Sequence, residues 1–274
     1  MTEISPTITP SPLRSKLIAS LPGVVHGITR RVPGMGLADG NVGDTDPRDP
    51  ADAWQMRQAW SAAIGIDPEG IVRTGQIHGN DVFLVQAEHA GMGRRRDTPT
   101  PGTADAMITR AVNVPIMTLA ADCLPLLMYD PVQRAVAAVH AGWRSTVQDI
   151  AGEVVRAMER EFNTNASDLI AFLGPAIGVC CNEVGPEVTA AWREIASGLG
   201  DDAELAVTRP NVKEHFDVPL ANFMLLQRAG VREENIDMSG ICTRCNLDDW
   251  FSHRGQGAAT GRQGGVIMLT EIEA

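Results

Sequence analysis

Stretches with helical periodicity alternate with short apolar runs along this chain. Apolar positions recur at helical spacing over residues 53–64, and Asp49 stands before them as a candidate N-cap. A single apolar stripe predicts a second helix over residues 146–162. Two more helices are predicted at 186–196 and 219–229, because each stretch has a proline at or near its first turn, where a helix tolerates it.

The segments between the first two helices have β-strand character instead. They are short runs of β-branched and apolar residues, separated by turn signals such as Asp130-Pro131. The predicted strands are 71–74, 81–85, 105–109, 115–120, 124–129 and 135–140, followed by a last strand at 264–270. Because no helix separates the first six, antiparallel or mixed pairing is favoured over a doubly wound α/β fold. We predict an α+β fold with helices flanking a mixed or antiparallel sheet core.

Length and composition favour one compact domain. The chain has 274 residues, of which 44% are hydrophobic, enough to bury a sizeable core. The sequence shows no internal repeat. Residues 1–20 are rich in Ser and Pro, so we predict a loose leader there and a single domain from residue 21 to residue 274.

The charge of the chain argues against two classes of partner. A formal net charge of −11 at pH 7 disfavours binding to nucleic acid or to an anionic membrane, since both need a basic face. The basic cluster Arg94 to Arg96 is interpreted as part of a solvated loop. The best apolar run, 115–129, is interrupted by Asp122 and is shorter than the roughly 20 residues that span a bilayer. The N-terminus lacks the apolar centre of a secretory signal, so we expect a cytoplasmic protein.

Three polar motifs lie at the ends of predicted strands. The motifs QIHG, ADCLP and HAGWR contain His78, Cys123 and His140. Two imidazoles and a thiolate suit Zn²⁺, and three protein ligands leave a fourth position for water, as in catalytic zinc sites. A lone strand-end histidine is more often a hydrogen-bonded packing residue, however, and a lone buried cysteine is usually inert. Spacing alone leaves both interpretations open.

A longer series of motifs resembles one known family. In order, the chain contains TGQIHGNDV, TADAMIT, LAADCLPLLMYD, AVAAVHAGWR, AFLGPAIG, NEVGPEV, CTRCNLDDWFSHR and TGR. These strings resemble the bacterial laccase-domain family of the YfiH type, formerly described as multicopper polyphenol oxidase-like and later as zinc-dependent purine nucleoside phosphorylases. The resemblance runs from about residue 26 to the C-terminus, and ADCLP and HAGWR are its most specific motifs.

The resemblance implies a metal site and a reaction. The metal ligands of the family fall on His78, Cys123 and His140, and they imply Zn²⁺ rather than copper. The implied partners are a purine nucleoside and inorganic phosphate. The implied reactions are phosphorolysis of adenosine, inosine, guanosine and methylthioadenosine, together with hydrolytic deamination of adenosine.

Phosphorolysis requires guanidinium groups that hold the phosphate dianion. Arg144 is the nearest candidate, since it follows His140 by four residues at the predicted start of a helix. Arg57, Arg254 and Arg262 stand where the family also has arginine. Each of these three is a candidate both for phosphate binding and for a structural salt bridge.

Deamination requires an acid that protonates the departing amine. Asp122 is the closest acid in sequence, and its alternative role is to accept the free N–H of His78 or His140 and orient that ring. His253 is a second candidate, because histidine is the side-chain type best suited to proton transfer near neutral pH. Asp105, in the DA-x-IT strand of the family, is expected to cap a turn or to contact ribose hydroxyls.

The cysteines outside the motif ADCLP suggest a rival site. Cys242 and Cys245 form a C-x-x-C pair, but a zinc site of that type requires a second pair, and the adjacent Cys180 and Cys181 lack this spacing. A redox dithiol usually starts a helix after a strand, and no helix is predicted at Thr243. Both roles are disfavoured. Cys242, which matches a family position, is interpreted as a thiol that lines the nucleoside pocket.

The chain departs from the family pattern at three places. Ser145 replaces the glycine that follows HAGWR in most relatives. Thr29-Arg30 is followed by RVPGMG in place of a glycine-rich motif, which puts in doubt any substrate contact made there. Asn182 stands where an aromatic residue is common and affects the expected base pocket. None of these positions is an implied metal ligand.

Other functions remain open at this stage. A copper-dependent polyphenol oxidase is disfavoured, because several copper sites built mainly from histidine need more than the six histidines of this chain. A hydrolase that edits peptidoglycan precursors would use the same metal, or Cys123 as nucleophile with His140 as base. A non-catalytic binding module would lack an open coordination position. The sequence is compatible with a monomer or a homodimer.

Overall fold

Three β-sheets and the helices between them make up residues 9–272, the part of the chain that this computed structural model describes. The helices are α1 (Lys16–Ala19), α2 (Pro50–Ile64), α3 (Trp143–Thr146), α4 (Ile150–Phe162), α5 (Pro186–Ile195), α6 (Val218–Arg228) and α7 (His253–Gln256). The strands are β1 (Val24–Ile28), β2 (Val82–Leu84), β3 (Ala106–Thr109), β4 (Ile116–Ala120), β5 (Leu124–Asp130), β6 (Ala135–Ala141), β7 (Ile170–Leu173), β8 (Glu183–Val184), β9 (Val207–Thr208), β10 (Glu214–Phe216), β11 (Ile236–Met238) and β12 (Gln263–Leu269). The 3₁₀ helices are Pro68–Gly70, Ala87–His89, Ala166–Asp168, Ser197–Ala206 and Glu233–Asn235.

The central sheet has six strands in the order β11-β7-β5-β6-β3-β2. Its middle is the antiparallel pair β5 and β6, in which every residue is buried. The two outer pairs, β11 with β7 and β2 with β3, are parallel, so the sheet is mixed. Strands that are buried on both faces appear in the sequence as continuous apolar runs, which is why LPLLMY and AVAAVH are uninterrupted.

Successive side chains of β5 point into two different cores. Leu126 and Met128 pack in a cluster with residues of α4 and α6. Leu127 and Tyr129 pack on the opposite face, against a second, antiparallel sheet of order β1-β12-β4. This alternation follows from the two-residue period of a strand. Helices thus cover one face of the central sheet and a second sheet covers the other, which confirms the predicted α+β class and single domain.

The predicted helices are found, but one of them is interrupted. The prediction joined residues 146–162, whereas the structure has α3 and α4 separated at Asp149. Asp149 adopts a left-handed conformation with φ of 60°, which breaks the hydrogen-bond series of a helix. Arg156 and Arg228 pair with its carboxylate and hold it there. In α2, by contrast, the predicted Asp49 cap is present and accepts two backbone amides.

The structure differs from the predicted loose leader at residues 13–20. Leu13 pairs with Ile28 through two backbone hydrogen bonds of 2.9 and 2.8 Å. Ser15 is buried, caps α1 and donates its amide to Nε2 of His26 over 2.8 Å. This segment is therefore part of the fold, because it adds a bridge to β1 and buries Ile18. Residues 1–8 of the predicted leader lie outside the described residues. No helix within residues 9–272 is long and apolar enough to cross a membrane.

Candidate active site

The three residues of the predicted metal site converge at one end of the central sheet. Cys123 lies in the turn between β4 and β5, and His140 lies on β6, whose register places it opposite Pro125. His78 comes from the loop that precedes β2. The ligand atoms of the three side chains all lie within 4.8 Å of one another.

The packing of this trio is close. Nε2 of His78 is 3.9 Å from Sγ of Cys123, and the rings of His78 and His140 meet edge to face with centroids 4.9 Å apart. Gly142 makes this approach feasible. A Cβ atom at this position would lie 3.1 Å from both Cys123 Sγ and His78 Cδ2, so a larger residue would push the ligands apart.

A buried carboxylate, that of Asp105, holds two of the three ligands. Oδ1 of Asp105 accepts a hydrogen bond from Nδ1 of His140 over 2.8 Å. Oδ2 accepts the amides of Ile77 and Gly79 over 3.0 and 2.8 Å, on either side of His78. His78 has a backbone φ of 62°, in a region that residues other than glycine rarely adopt, so these two hydrogen bonds stabilise a strained turn.

The electrostatics of the trio favour a thiolate. Burial raises the pKa of Cys123, but His140 and His78 offset this effect and bring that pKa down to about 6. Burial lowers the pKa of His140, whereas Cys123 and Asp105 raise it, to about 9. Burial likewise raises the pKa of Asp105, yet the hydrogen bonds from His140, Gly79 and Ile77 keep it below its usual value. Near neutral pH the site therefore contains a Cys123 thiolate, a His140 imidazolium and an Asp105 carboxylate that interact with one another.

The donor chemistry of the trio fits a borderline-soft divalent cation. The bond to Asp105 keeps a proton on Nδ1 of His140, so Nε2 is the nitrogen that would bind a cation once the cation displaces the second proton of the imidazolium. A thiolate and two imidazoles constitute three protein ligands, which is the number that catalytic zinc sites use. The same thiolate beside an imidazole also has the make-up of a nucleophilic pair.

A cavity of about 740 Å³ opens at the trio. This volume is in the range of ligand pockets for small molecules. The cavity wall carries more cationic than anionic side chains, since Asp44 and Asp122 are its acidic residues. Its arginines are Arg73, Arg95, Arg96, Arg254 and Arg262. A chain with a formal net charge of −11 thus concentrates positive charge at this cavity.

Arg254 and Arg262, two of the three arginines that stand where the family also has arginine, line the cavity. Arg254 donates to the carbonyls of Cys181 and Glu183, and Arg262 to those of Thr260 and Gly261. Neither guanidinium pairs with a carboxylate among the described residues. Burial, with neighbouring Arg48, lowers the pKa of Arg262 to about 10, which leaves it protonated at neutral pH.

Asp122 lines the cavity but does not orient a metal ligand. Its two carboxylate oxygens accept the hydroxyl of Thr243 and the backbone amide of Arg254, each over 2.6 Å. The alternative role predicted for Asp122, orientation of a histidine ring, therefore belongs to Asp105 in the case of His140. His253 is exposed and lines the cavity, within reach of a bound ligand.

The structure places two of the predicted arginines away from the cavity wall. Arg57 is 1% exposed, pairs with Asp44 over 2.9 Å and donates to the carbonyl of Val42, so its position is that of a structural salt bridge. Burial lowers its pKa to about 10. Arg144 is exposed and stacks over the ring of Trp143 at 4.2 Å. Neither arginine is among the residues that line the cavity, so the structure adds no support for a phosphate contact at either position.

Cys242 also lies elsewhere than predicted. Its Sγ accepts the amide of Gly178 over 3.2 Å, and it is grouped with three other cysteines and not with the residues that line the cavity. Asn182, which departs from the family pattern, does line the cavity, and its Oδ1 lies 3.4 Å from a guanidinium nitrogen of Arg254.

Sequence reasoning missed three arginines of the cavity wall. Arg95 and Arg96 belong to the basic cluster for which the sequence predicts a solvated loop, and Arg73 lies in none of the motifs. Each has a carboxylate partner: Glu69 for Arg95, Asp46 for Arg96 and Asp44 for Arg73. No local sequence pattern marks these arginines, because it is the fold of the chain and not the neighbouring residues that brings them to the cavity.

Comparison with known proteins agrees with the fold. The chain belongs to the family described as multi-copper polyphenol oxidoreductase laccase, whose model matches residues 25–270. A solved relative, YlmD from Geobacillus stearothermophilus, superposes with a TM-score of 0.85 at 29% identity and covers 91% of this chain and 93% of its own.

Curated relatives carry names of purine-metabolising enzymes. A protein of Bacteroides thetaiotaomicron named purine nucleoside phosphorylase is 33% identical over 74% of each chain. A protein from an unknown prokaryotic organism, named adenosine deaminase RL5, is 33% identical over 84% of each chain. The family name refers to copper and phenols, whereas these names refer to purine nucleosides.

Proposed function

We propose that this chain is a purine nucleoside phosphorylase that uses zinc and acts in the cavity beside His78, Cys123 and His140. The observation that carries the proposal is the position of this trio in a cavity whose wall contains five arginines. The name of the Bacteroides relative supports the reaction. The substrates would be a purine nucleoside, such as adenosine, inosine, guanosine or methylthioadenosine, and inorganic phosphate.

Arg254 and Arg262 are proposed to hold phosphate. Their guanidinium groups line the cavity and have no carboxylate partner among the described residues. A bound phosphate dianion would therefore neutralise their positive charge. Arg73, Arg95 and Arg96 already have acidic partners and would add a weaker, long-range attraction. Arg144, which stacks on Trp143, is assigned no contact with phosphate.

His78, Cys123 and His140 are proposed to hold Zn²⁺, which would supply a Lewis acid next to the substrate. Asp105 orients His140 and fixes the backbone at His78. Asp122 accepts the amide of Arg254 and so positions the start of α7, where His253 also lies. Through these contacts the buried carboxylate of Asp105 and the half-buried carboxylate of Asp122 set the geometry of the site, and neither is proposed to contact phosphate.

Deamination of adenosine is proposed as an accessory activity of the same cavity. The relative named adenosine deaminase RL5 favours it. The departing amine requires a proton donor. His253 is the better candidate, because both oxygens of the Asp122 carboxylate already accept hydrogen bonds.

The alternatives have less support. The described residues gather only two histidines and one cysteine at the trio, which does not provide the several copper sites of a polyphenol oxidase. The nucleophilic pair Cys123–His140 is compatible with a peptidoglycan-precursor hydrolase, but no relative cited above bears such a name. The free thiols and the proposed substrates fit a cytoplasmic location.

The test is product analysis with and without phosphate. Purified protein is incubated with adenosine or inosine, and the products are separated by chromatography. We expect free base and ribose 1-phosphate only when phosphate is present, and inosine from adenosine under both conditions. Absence of ribose 1-phosphate when phosphate is present would refute the phosphorylase, and absence of inosine from adenosine would refute the accessory deaminase. Oxidation of a phenol in place of both reactions would refute the whole proposal.

A further inference from the structure

Four cysteines outside the active cavity form one cluster. The sulfur atoms of Cys180, Cys181, Cys242 and Cys245 all lie within 4.8 Å of one another. Sγ of Cys245 is 3.6 Å from that of Cys180 and 3.4 Å from that of Cys181. All four thiols are free, so the cluster contains no disulfide.

Two of these contacts, at 3.6 and 3.4 Å, are close to the sulfur separation of a metal tetrahedron. Zinc–sulfur bonds of about 2.3 Å in a tetrahedral site place the sulfur atoms about 3.8 Å apart. The observed separations are close to this value and well beyond the roughly 2.05 Å of a disulfide bond. Four thiolates are also the ligand set of closed, structural zinc sites.

Two turns of the backbone bring the four sulfur atoms together. Ala176 bridges to Cys242 in parallel fashion, so the C-x-x-C turn lies directly beside the turn that contains Cys180 and Cys181. The second turn is closed by a 2.9 Å bond from the amide of Cys181 to the carbonyl of Gly178.

Gly178 also links the two turns at the sulfur atoms. Its amide donates to Sγ of Cys242 over 3.2 Å, a contact that favours a thiolate there. A Cβ atom at Gly178 would lie 3.1 Å from Cβ of Cys242 and 3.4 Å from Sγ of Cys180. The lack of a side chain at this position is thus what permits the close approach.

We propose that Cys180, Cys181, Cys242 and Cys245 bind a second, structural zinc ion. Spacing along the chain argued against such a site, since Cys180 and Cys181 are adjacent and do not form a C-x-x-C pair. In the fold, an adjacent pair in a tight turn supplies the two missing ligands. Cys180 and Cys245 are exposed, so the metal ion reaches the cluster directly from solvent.

This zinc ion stabilises the wall of the active cavity. Thr243, between two of the ligands, donates its hydroxyl to Asp122 over 2.6 Å. The carbonyl of Cys181 accepts from the guanidinium of Arg254 over 3.4 Å. The tetrathiolate site therefore cross-links the two turns that support Asp122 and Arg254, and it keeps no coordination position open for substrate.

Metal counting on the full chain tests this site separately from the trio. Protein reconstituted with Zn²⁺ and passed through a desalting column should hold two zinc ions per chain by elemental analysis. The double variant Cys180→Ser with Cys245→Ser should hold one, and so should the matched control His78→Ala with Cys123→Ala. Circular dichroism checks that both variants fold.

Cobalt spectroscopy identifies the ligand set and does not depend on the folding of the cysteine variant. With Co²⁺ in place of Zn²⁺, the His78→Ala and Cys123→Ala control should retain the intense sulfur-to-cobalt absorption and visible bands of a tetrahedral tetrathiolate. Absence of these bands in that control overturns the proposal. Equal zinc content in the wild type and in the double variant Cys180→Ser with Cys245→Ser overturns it as well. So does a disulfide among the four cysteines of zinc-saturated protein, which mass spectrometry would detect.

Discussion

Asp105 and His140 are joined by a 2.8 Å hydrogen bond between Oδ1 and Nδ1, and both side chains are buried. The second oxygen of the same carboxylate binds the backbone on both sides of His78. A single acidic residue thus orients two of the three proposed metal ligands, although it is not itself one of them. Its position on the chain, just before β3, gives it access to the neighbouring strand β6 and to the loop before β2.

We predict that Asp105→Asn weakens zinc binding at the trio. An amide in place of the carboxylate removes the charge that fixes His140 and stabilises the turn at His78. The zinc affinity should fall by about 10- to 100-fold, with a comparable loss of phosphorolysis at limiting zinc. Competition with a chromophoric chelator measures the affinity.

Asp122→Asn is the matched control for that substitution. Asp122 contacts Thr243 and Arg254 and neither proposed histidine ligand, so its variant should bind zinc at the trio as wild type does while losing activity. If the Asp105 variant binds zinc as tightly as wild type, the orienting role of Asp105 is wrong.

We predict that Arg262→Met and Arg254→Met each raise the KM for phosphate. A charged hydrogen bond contributes about 1.5–3 kcal/mol, which corresponds to roughly 10-fold or more in affinity. Initial rates at varied phosphate and saturating inosine provide the measurement. Arg144→Met is the comparison, because Arg144 stacks on Trp143 and is not itself among the residues that line the cavity, so the KM for phosphate should stay within a factor of about two of wild type. A larger effect at Arg144 than at Arg262 would reverse this assignment.

We predict that Arg57→Met destabilises the fold without a specific effect on phosphate binding. The substitution removes a buried partner of Asp44, whose pKa burial raises but Arg73 and Arg57 hold below its usual value. Loss of one partner of a buried ion pair costs about 3 kcal/mol or more, and the remaining Arg73 limits the loss here. Urea unfolding measures the change, with Arg262→Met as the control. An unchanged free energy of unfolding would show that the Arg57–Asp44 pair is not structural.

We predict an acid-sensitive fold because of His26. Burial, with the charge of Arg14, lowers the pKa of His26 to about 4, whereas an unfolded histidine titrates near 6.5. The folded state must therefore keep His26 neutral, with Nε2 accepting the amide of Ser15. Its contribution is complete above pH 6.5 and is lost as the pH falls toward 4, by roughly 3 kcal/mol in total.

Unfolding in urea at a series of pH values tests this contribution. His26→Gln retains an acceptor but does not titrate, so its free energy of unfolding should fall less steeply between pH 6.5 and pH 4 than that of wild type. Parallel pH profiles for the two proteins would mean that His26 does not carry the acid sensitivity.

The sequence predicts those features that depend on neighbouring residues. The continuous apolar runs of β5 and β6 identify buried strands, and Asp49 is correctly identified as the N-cap of α2, although the predicted helix begins at residue 53 and not at Pro50. The break between α3 and α4 escapes prediction, because it depends on Asp149 being held in a left-handed conformation by arginines 7 and 79 residues later.

The candidate site likewise contains features that the sequence predicts and features that depend on residues distant in the sequence. His78, Cys123 and His140 are predicted through their motifs, since only the resemblance relates residues so far apart. The partner of His140 is a carboxylate 35 residues away that reaches it across a strand pair, and no spacing rule marks it. The cysteine cluster joins turns separated by 64 residues, which is why a rule based on C-x-x-C spacing fails there.

Phosphorolysis by the Cys123→Ala variant is the most direct test of the proposed active site. Wild-type and variant proteins of equal fold, checked by circular dichroism, are given inosine and phosphate, and ribose 1-phosphate is measured by chromatography. The proposed role of the trio predicts product from wild type and none above background from the variant. Undiminished ribose 1-phosphate formation by Cys123→Ala would contradict it.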